Sequence, residues 1–314
     1  MTKQVQHAVR YLTVTTEYAG QRVDNFLITL LGNIPKTRIY RMVRKGEVRI
    51  NKKRVEASYR LQAGDLLRIP PVYQAEKAPI ERPSDSLQAL LAKRILFEDD
   101  ALFIINKPAG VPVHGGTGLK MGVIDALRFM YPKLLHLELA HRLDKETSGC
   151  LLLAKKRSAL KVIHTLLREG QVEKKYLALT LGHWEKNELR VDVPLLKNQL
   201  ASGARIVRVD PEGKSALTVF KPLQTFQNAT LVEATLHTGR THQIRVHATY
   251  RHHPLACDEK YGDRDFDREV KKTGLKRLFL HAHHVSFIHP VTEKRISVTA
   301  ELDEDLKACL GRLS

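Results

Sequence analysis

Residues 137–154 read LELAHRLDKETSGCLLLA, two short apolar stretches on either side of a polar loop. LELA (137–140) and CLLLA (150–154) are predicted as strands by length and apolar content. HRLDKETSG (141–149) sets Arg142 and Asp144 on the loop between them. Loops mounted on rigid strands commonly carry reactive groups. Asp, Thr, Ser and Gly are also turn formers, so composition alone leaves a plain turn open.

Outward from this loop the chain is rich in short strands. ALFIIN (101–106), YLALTL (176–181), RIVRV (205–209), ATLVEATL (229–236), RLFLHA (277–282) and RISVTA (295–300) all fit that reading. Helices are predicted at VIDALRFMY (123–131), SALKVIHTLLREG (158–170), the segment after Gly239, and EDLKACLGRL (304–313). They are too sparse for a repeating βαβ series. The predicted class is therefore α+β, with a mixed, largely antiparallel sheet over residues 93–314.

The N-terminal part differs in charge. The chain has 314 residues and a formal charge of +18, and residues 20–69 hold twelve basic against four acidic residues. Val23, Phe26, Leu27, Leu30 and Leu31 form the stripe of an amphipathic helix that Gly32 ends. Pro35 opens a second helix, KTRIYRMVRKG, closed by Gly46. Arg38, Arg41 and Lys45 make one basic ridge on it, and Arg49, Lys52, Lys53 and Arg54 follow directly. A solvated helix face explains such a ridge too, but the continuing run favours contact with phosphates. GDLLRIP (64–70) reads as a turn and a closing strand, so 20–69 is predicted as a small α/β module that binds a polyanion, most often nucleic acid. Four of the thirteen prolines fall within 70–83, and residues 70–92 are predicted as an extended, mobile linker.

Several classes of function are disfavoured. No apolar run reaches the roughly 18–20 residues of a membrane helix, and the N-terminus lacks a signal-peptide core. Cys150, Cys257 and Cys309 lie too far apart for a CxxC zinc site or a disulfide framework, which points to a reducing, cytoplasmic setting. His237, His242 and His247 are spaced by five, so they do not share a helix face as metal ligands. No P-loop or GxGxxG is present, and neither a cofactor nor a metal is expected. Two further polar segments stand out: VEKKYLALTLG, with Tyr176 behind a basic pair, and HTGRTHQIRVHATY (237–250), whose basic residues near a helix start suit anions. A strand tyrosine is more often simply core.

HRLD-x-x-TSG resembles the signature loop of the RluA-type pseudouridine synthases. NKPAGVPVHGG (106–116), KKYLAL (174–179), GRTHQIRVH (239–247) and LFLHA (278–282) match that family's other motifs in order. LLKN, RIVRVDPEGK and CDEKYGDRDFDR carry the likeness beyond the shared motifs. The N-terminal segment is similar to the small RNA-binding module first seen in ribosomal protein S-four. Cys150 departs from the pattern, standing where a branched aliphatic residue is expected; it is a small hydrophobe and leaves the chemistry untouched.

The resemblance implies the pseudouridine synthase fold and an isomerisation within RNA, most directly of uridines in 23S rRNA or large-subunit assembly intermediates, by a monomer. Uracil is detached from ribose at nitrogen 1, turned, and rejoined through carbon 5. The resemblance nominates Asp144 as the acting carboxylate, and addition to the base, addition to ribose and a glycal route all remain open. It assigns Arg245 as the charge partner of Asp144, and Tyr176 as the residue stacking on the base and serving as acid or base. It gives Arg142 the place vacated by a flipped base, and Ile244 and Leu280 the pocket wall. Two alternatives stand beside it. One is the same chemistry on transfer RNA; the other is a non-catalytic RNA-binding assembly protein, which gives no reason to keep Asp144, Tyr176 and Arg245 together.

Overall fold

The computed structural model describes residues 4–32, 34–75, 82–115, 121–185, 187–199 and 205–313. The chain divides into two compact units, Met1–Glu81 and Arg82–Ser314. The first comprises β1 (Gln4–His7), β2 (Arg10–Thr13), α1 (Val23–Leu31), α2 (Lys36–Arg44), β3 (Arg49–Ile50), β4 (Leu66–Ile69) and β5 (Val72–Ala75). Strands β2, β4 and β3 form an antiparallel sheet in that order, and β1 pairs with β5. The predicted stripe of α1 is buried at Val23, Phe26, Leu27 and Leu31, and meets Ile39, Met42 and Val43 of α2 with Leu67 and Ile69 of β4. This is a separate apolar core.

The second unit starts earlier than the sequence suggests. Within the stretch read as linker, β5 lies at one end and helix α3 (Asp85–Ala92) at the other; residues 76–81 lie outside the described ones. The Ser84 hydroxyl caps α3 by accepting the Leu87 N–H at 3.2 Å, and Leu91 is fully buried. Pro83 precedes this cap and does not interrupt the helix, which is why proline density misled the reading.

The unit continues with β6 (Ile95–Glu98), β7 (Leu102–Lys107), α4 (Val123–Met130), β8 (Glu138–Leu139), β9 (Ser148–Ala154), α5 (Arg157–Arg168), β10 (Glu173–Leu181), β11 (Leu189–Asp192) and β12 (Leu195–Gln199). Then come β13 (Arg205–Val209), β14 (Leu217–Thr225), β15 (Ala229–Leu236), α6 (Gln243–Tyr250), α7 (Arg264–Lys271), β16 (Leu280–Ile288), β17 (Arg295–Thr299) and α8 (Glu304–Arg312). A ten-stranded sheet runs β11-β14-β15-β10-β16-β9-β7-β6, with β17 beside β16 and β8 beside β9. All its pairings are antiparallel except β9 with β16. The sheet is mixed and largely antiparallel, as predicted, while LELA contributes only the two residues of β8. Among the described residues, no helix is long and apolar enough to cross a membrane.

Both faces of the sheet are covered. Along β10, Tyr176 and Ala178 join the larger core with β7, β9 and α4, while Leu177 and Leu179 join Phe266, Val270, Phe279 and Leu306 on the other side. This alternation follows from the period of two in a strand. Helix α7, unpredicted because DRDFDREVK is so polar, buries only Phe266 and Val270. Cys150 packs in β9 as a small hydrophobe, its thiol pushed up to about 12 by burial.

The one parallel pairing is tight. His281 pairs with Ser148 and Ala282 with Gly149. Gly149 has φ of +107°, and a Cβ there would collide with the Ala282 backbone. Gly149→Ala should therefore cost about 3 kcal/mol or more, from strained backbone and overpacking together. Chemical unfolding checks this, and near wild-type stability would show that β9 and β16 can part.

Candidate active site

The TSG end of the signature loop is built into β9, and the loop itself is fixed from below by Lys107. This lysine, from the NKPAG motif, is fully buried at the end of β7. Its ammonium donates to the carbonyls of Pro108, Val111 and Lys145 at 2.8, 2.8 and 3.0 Å. Three acceptors match the three N–H groups of the charged form. Burial pushes the ammonium down to about 7, opposed by the charges of Glu146 and Asp144. Gly110 N–H also donates to the Lys145 carbonyl, at 2.9 Å. The chain is thus tied immediately after Asp144. Gly116, the last residue of the NKPAGVPVHGG motif, lies outside the described residues.

Helix α6 supplies the facing groups. Gln243, at its start, is buried and makes four hydrogen bonds. Its Oε1 accepts from the Thr238 hydroxyl and the Arg240 N–H, and its Nε2 donates to the Leu217 carbonyl and the Thr218 hydroxyl, all at 2.8–2.9 Å. This fixes the first turn that carries Ile244 and Arg245. His247 holds the helix from behind, through the Thr218 hydroxyl and the Val193 carbonyl.

Arg245 is only 8 % exposed and bridges two carboxylates. Its Nε and Nη2 donate to Asp258 at 2.7 and 2.6 Å, a bidentate pair, and its Nη1 donates to Asp144 Oδ2 at 3.2 Å. Asp258 is fully buried and also accepts the N–H groups of Lys260 and Tyr261. Burial alone would raise the Asp258 carboxyl, but the Arg245 hydrogen bonds and charge outweigh it and the net shift is downward. The guanidinium also sits over the Tyr261 ring, at 5.1 Å from its centre.

His242 adds a neutral group on the same side of Asp144. It begins α6 in the left-handed conformation, φ +55°. Tyr261 hydroxyl accepts the Val207 N–H at 3.0 Å and is hydrogen-bonded to His242 Nδ1 at 2.8 Å. The other ring nitrogen, Nε2, lies 3.8 Å from Asp144 Oδ2. Burial pushes His242 down to about 4, so it is uncharged at neutral pH and forms no ion pair there.

A cleft of about 500 Å³ opens over these groups. Asp144, Tyr176, Arg245, Arg142, Ile244 and Leu280 all line it. Tyr176 is 7 % exposed, and burial first, then the Asp144 charge, holds its hydroxyl well above the ordinary range. Arg142 is exposed, and its side chain is joined to no other described residue by an ion pair or hydrogen bond. The size suits a single nucleotide.

The basic residues of the first unit lie on different elements. Arg41 and Lys45 are exposed on α2 and its cap, while Arg38 is half-buried and paired with Glu47 at 3.3 Å. Arg49 is on β3, and Lys52, Lys53 and Arg54 are exposed on the turn that follows it. The sequence reading gave no role at the site to Lys107, His242, Asp258 or Tyr261. Asp258 and Tyr261 fall in CDEKYGDRDFDR, already conspicuous for its charge, but no spacing ties them to Arg245.

Residues 101–250 match the RNA pseudouridylate synthase family, and residues 21–67 match the S4 domain. A Haemophilus influenzae protein named ribosomal large subunit pseudouridine synthase C is 51 % identical, covering 100 % of this chain and 99 % of its own. The Escherichia coli (strain K12) protein of the same name is 53 % identical over 98 % and 97 %. The solved structure of human RNA pseudouridylate synthase domain containing 4 is 31 % identical, covers 73 % of this chain and 95 % of its own, and has a TM-score of 0.60. With a near-full-length match to such relatives and the family's motifs gathered around one cleft, this chain belongs to the RNA pseudouridylate synthases and is an isomerase.

Proposed function

We propose that the protein converts uridines of 23S rRNA to pseudouridine, with Asp144 as the acting carboxylate. The observation that carries this reading is the Asp144–Arg245 pair at 3.2 Å in the floor of a nucleotide-sized cleft. The names of the two full-length relatives support the large-subunit target. The reaction breaks the bond between ribose C1′ and uracil N1, forms one between C1′ and C5, and moves a proton from C5 to N1. Nothing is gained or lost, so no oxidant, reductant or energy donor is needed.

Each group has a task suited to its surroundings. Arg245 aims the Asp144 carboxylate through a charge-assisted hydrogen bond. Addition to the base, addition to ribose and removal of a ribose proton all start from that carboxylate. Tyr176 stacks on the uracil and starts the cycle protonated, because its hydroxyl is held high. A paired uridine reaches the cleft only by flipping out, at a few kcal/mol, and the exposed Arg142 fills the gap it leaves. Ile244 and Leu280 wall the base. Arg38, Arg41, Lys45, Arg49, Lys52, Lys53 and Arg54 grip RNA backbone without reading sequence. Three buried cysteines outside any disulfide support the cytoplasm.

Two variants test the assignment. Asp144→Asn should cut the single-turnover rate by about a thousandfold or more, while RNA affinity stays within about twofold, since binding is mostly phosphate electrostatics. Pseudouridine formation at near wild-type rate would sink it. Asp258→Asn removes the charge that aims Arg245. It should lower kcat by roughly 10–100-fold with little change in RNA affinity, and lower unfolding stability by about 3 kcal/mol by stranding a buried cation. A wild-type kcat would show that Arg245 needs no such support.

A further inference from the structure

The outer face of the three-stranded sheet in the first unit carries a row that the family match does not explain. Tyr11 on β2 pairs directly with Arg68 on β4, and Arg68 pairs directly with Arg49 on β3. Directly opposed residues share a face of a sheet. Burial agrees: Leu67, Ile69 and Ile50 point into the core, while Tyr11 is 61 % exposed and Arg49 and Leu66 are exposed beside it.

Two features of this row point to a ligand. Like charges directly opposite each other across strands are destabilising, yet Arg49 and Arg68 face each other with no carboxylate among the described residues paired to either. Arg49 Nε donates to the Gly46 carbonyl at 3.2 Å and Arg68 Nη1 to the Glu47 carbonyl at 2.6 Å. Most of the five N–H donors on each guanidinium are left for a partner. The nearby acids are engaged elsewhere: Glu47 with Arg38, and Asp65 with Asn51, Tyr59 and the Gln62 N–H. Next to this uncompensated charge stands a large exposed ring. Aromatic rings beside arginines on a sheet are how single-stranded nucleic acid is held, base on ring and phosphate on guanidinium.

We propose that the Tyr11–Arg68–Arg49 row binds an unpaired nucleotide of the RNA substrate, stacking its base on Tyr11 and taking its phosphate on the two arginines. This deepens, and rests on, the RNA-modifying function proposed above. It separates Arg49 from the α2 ridge of Arg41 and Lys45 and gives the first unit a second RNA-binding surface, one that senses strandedness.

The test uses full-length protein and a 23S rRNA fragment in which the wild type forms pseudouridine, with affinity measured across a salt series. Tyr11→Thr removes the ring and puts in its place a β-branched residue that favours strands. It should weaken binding about five- to tenfold with an unchanged slope of log affinity against log salt, because stacking is not electrostatic. Tyr11→Phe should bind within twofold of wild type. Arg49→Gln and Arg68→Gln together should make the slope shallower by about 0.7, for the one single-strand phosphate no longer neutralised, and each alone should make it shallower by less. Tyr11→Thr binding within twofold of wild type, with an unchanged unfolding midpoint, overturns the proposal. So does a weakening that Tyr11→Phe shares, or arginine variants with the wild-type slope. If the wild type forms pseudouridine in no 23S rRNA fragment, the function proposed above is refuted instead, whatever the variants do.

Discussion

The buried bidentate pair between Arg245 and Asp258 is the constraint around which the site is arranged. A guanidinium taken out of water needs a partner, and an unpaired one is strongly destabilising. Asp258 meets that need with both oxygens and is itself held by two backbone N–H groups. Only Nη1 is then left to face the cleft, and it reaches one oxygen of Asp144. The geometry of the Asp144–Arg245 pair is therefore set by the fully buried one. Gln243 fixes the helix that carries Arg245, and Lys107 fixes the loop that carries Asp144. Each member of the working pair is aimed by polar groups whose own bonds are satisfied, which is what preorganisation requires.

Much of this was legible in the sequence. The two N-terminal helices follow from an apolar stripe, a proline and two glycines, signals confined to a few neighbouring residues. The strand-rich second unit follows from short β-branched and apolar runs, and the six cleft residues from motifs in order. Three kinds of feature were not legible. Helix α3 was hidden because prolines just before it outweighed a good cap and the apolar pair Leu87 and Leu91. Helix α7 buries only two side chains and so gives little periodicity. Asp258 and Tyr261 act through Arg245 and His242, and only the folded chain brings those pairs together. Lys107 was quoted within a motif, yet nothing local shows that its ammonium ends among three carbonyls.

Charge is distributed by task across the two units. In the first, cations stand exposed on α2, on the turn after β3 and on the sheet. In the second, Lys107 and Arg245 are buried and matched to specific acceptors, while Arg142 stands exposed at the cleft. The first arrangement gives affinity that salt weakens. The second resists screening, because low-dielectric surroundings keep short-range pairs strong.

The single parallel pairing of β9 with β16 has a consequence for when the enzyme becomes active during its own synthesis. Asp144 and Arg245 are 101 residues apart in the chain, and Ser148 and His281 are 133 apart. Such non-local pairings form late, because loop closure must precede any reward from them. On a translating ribosome the first unit, with its own core, emerges and closes while the cleft still lacks α6 and β16. A nascent chain can thus hold RNA before it can modify it. The cleft is complete only once β16 has been made, because this strand supplies Leu280 to its wall and pairs with Ser148 and Gly149 just after the Asp144 loop.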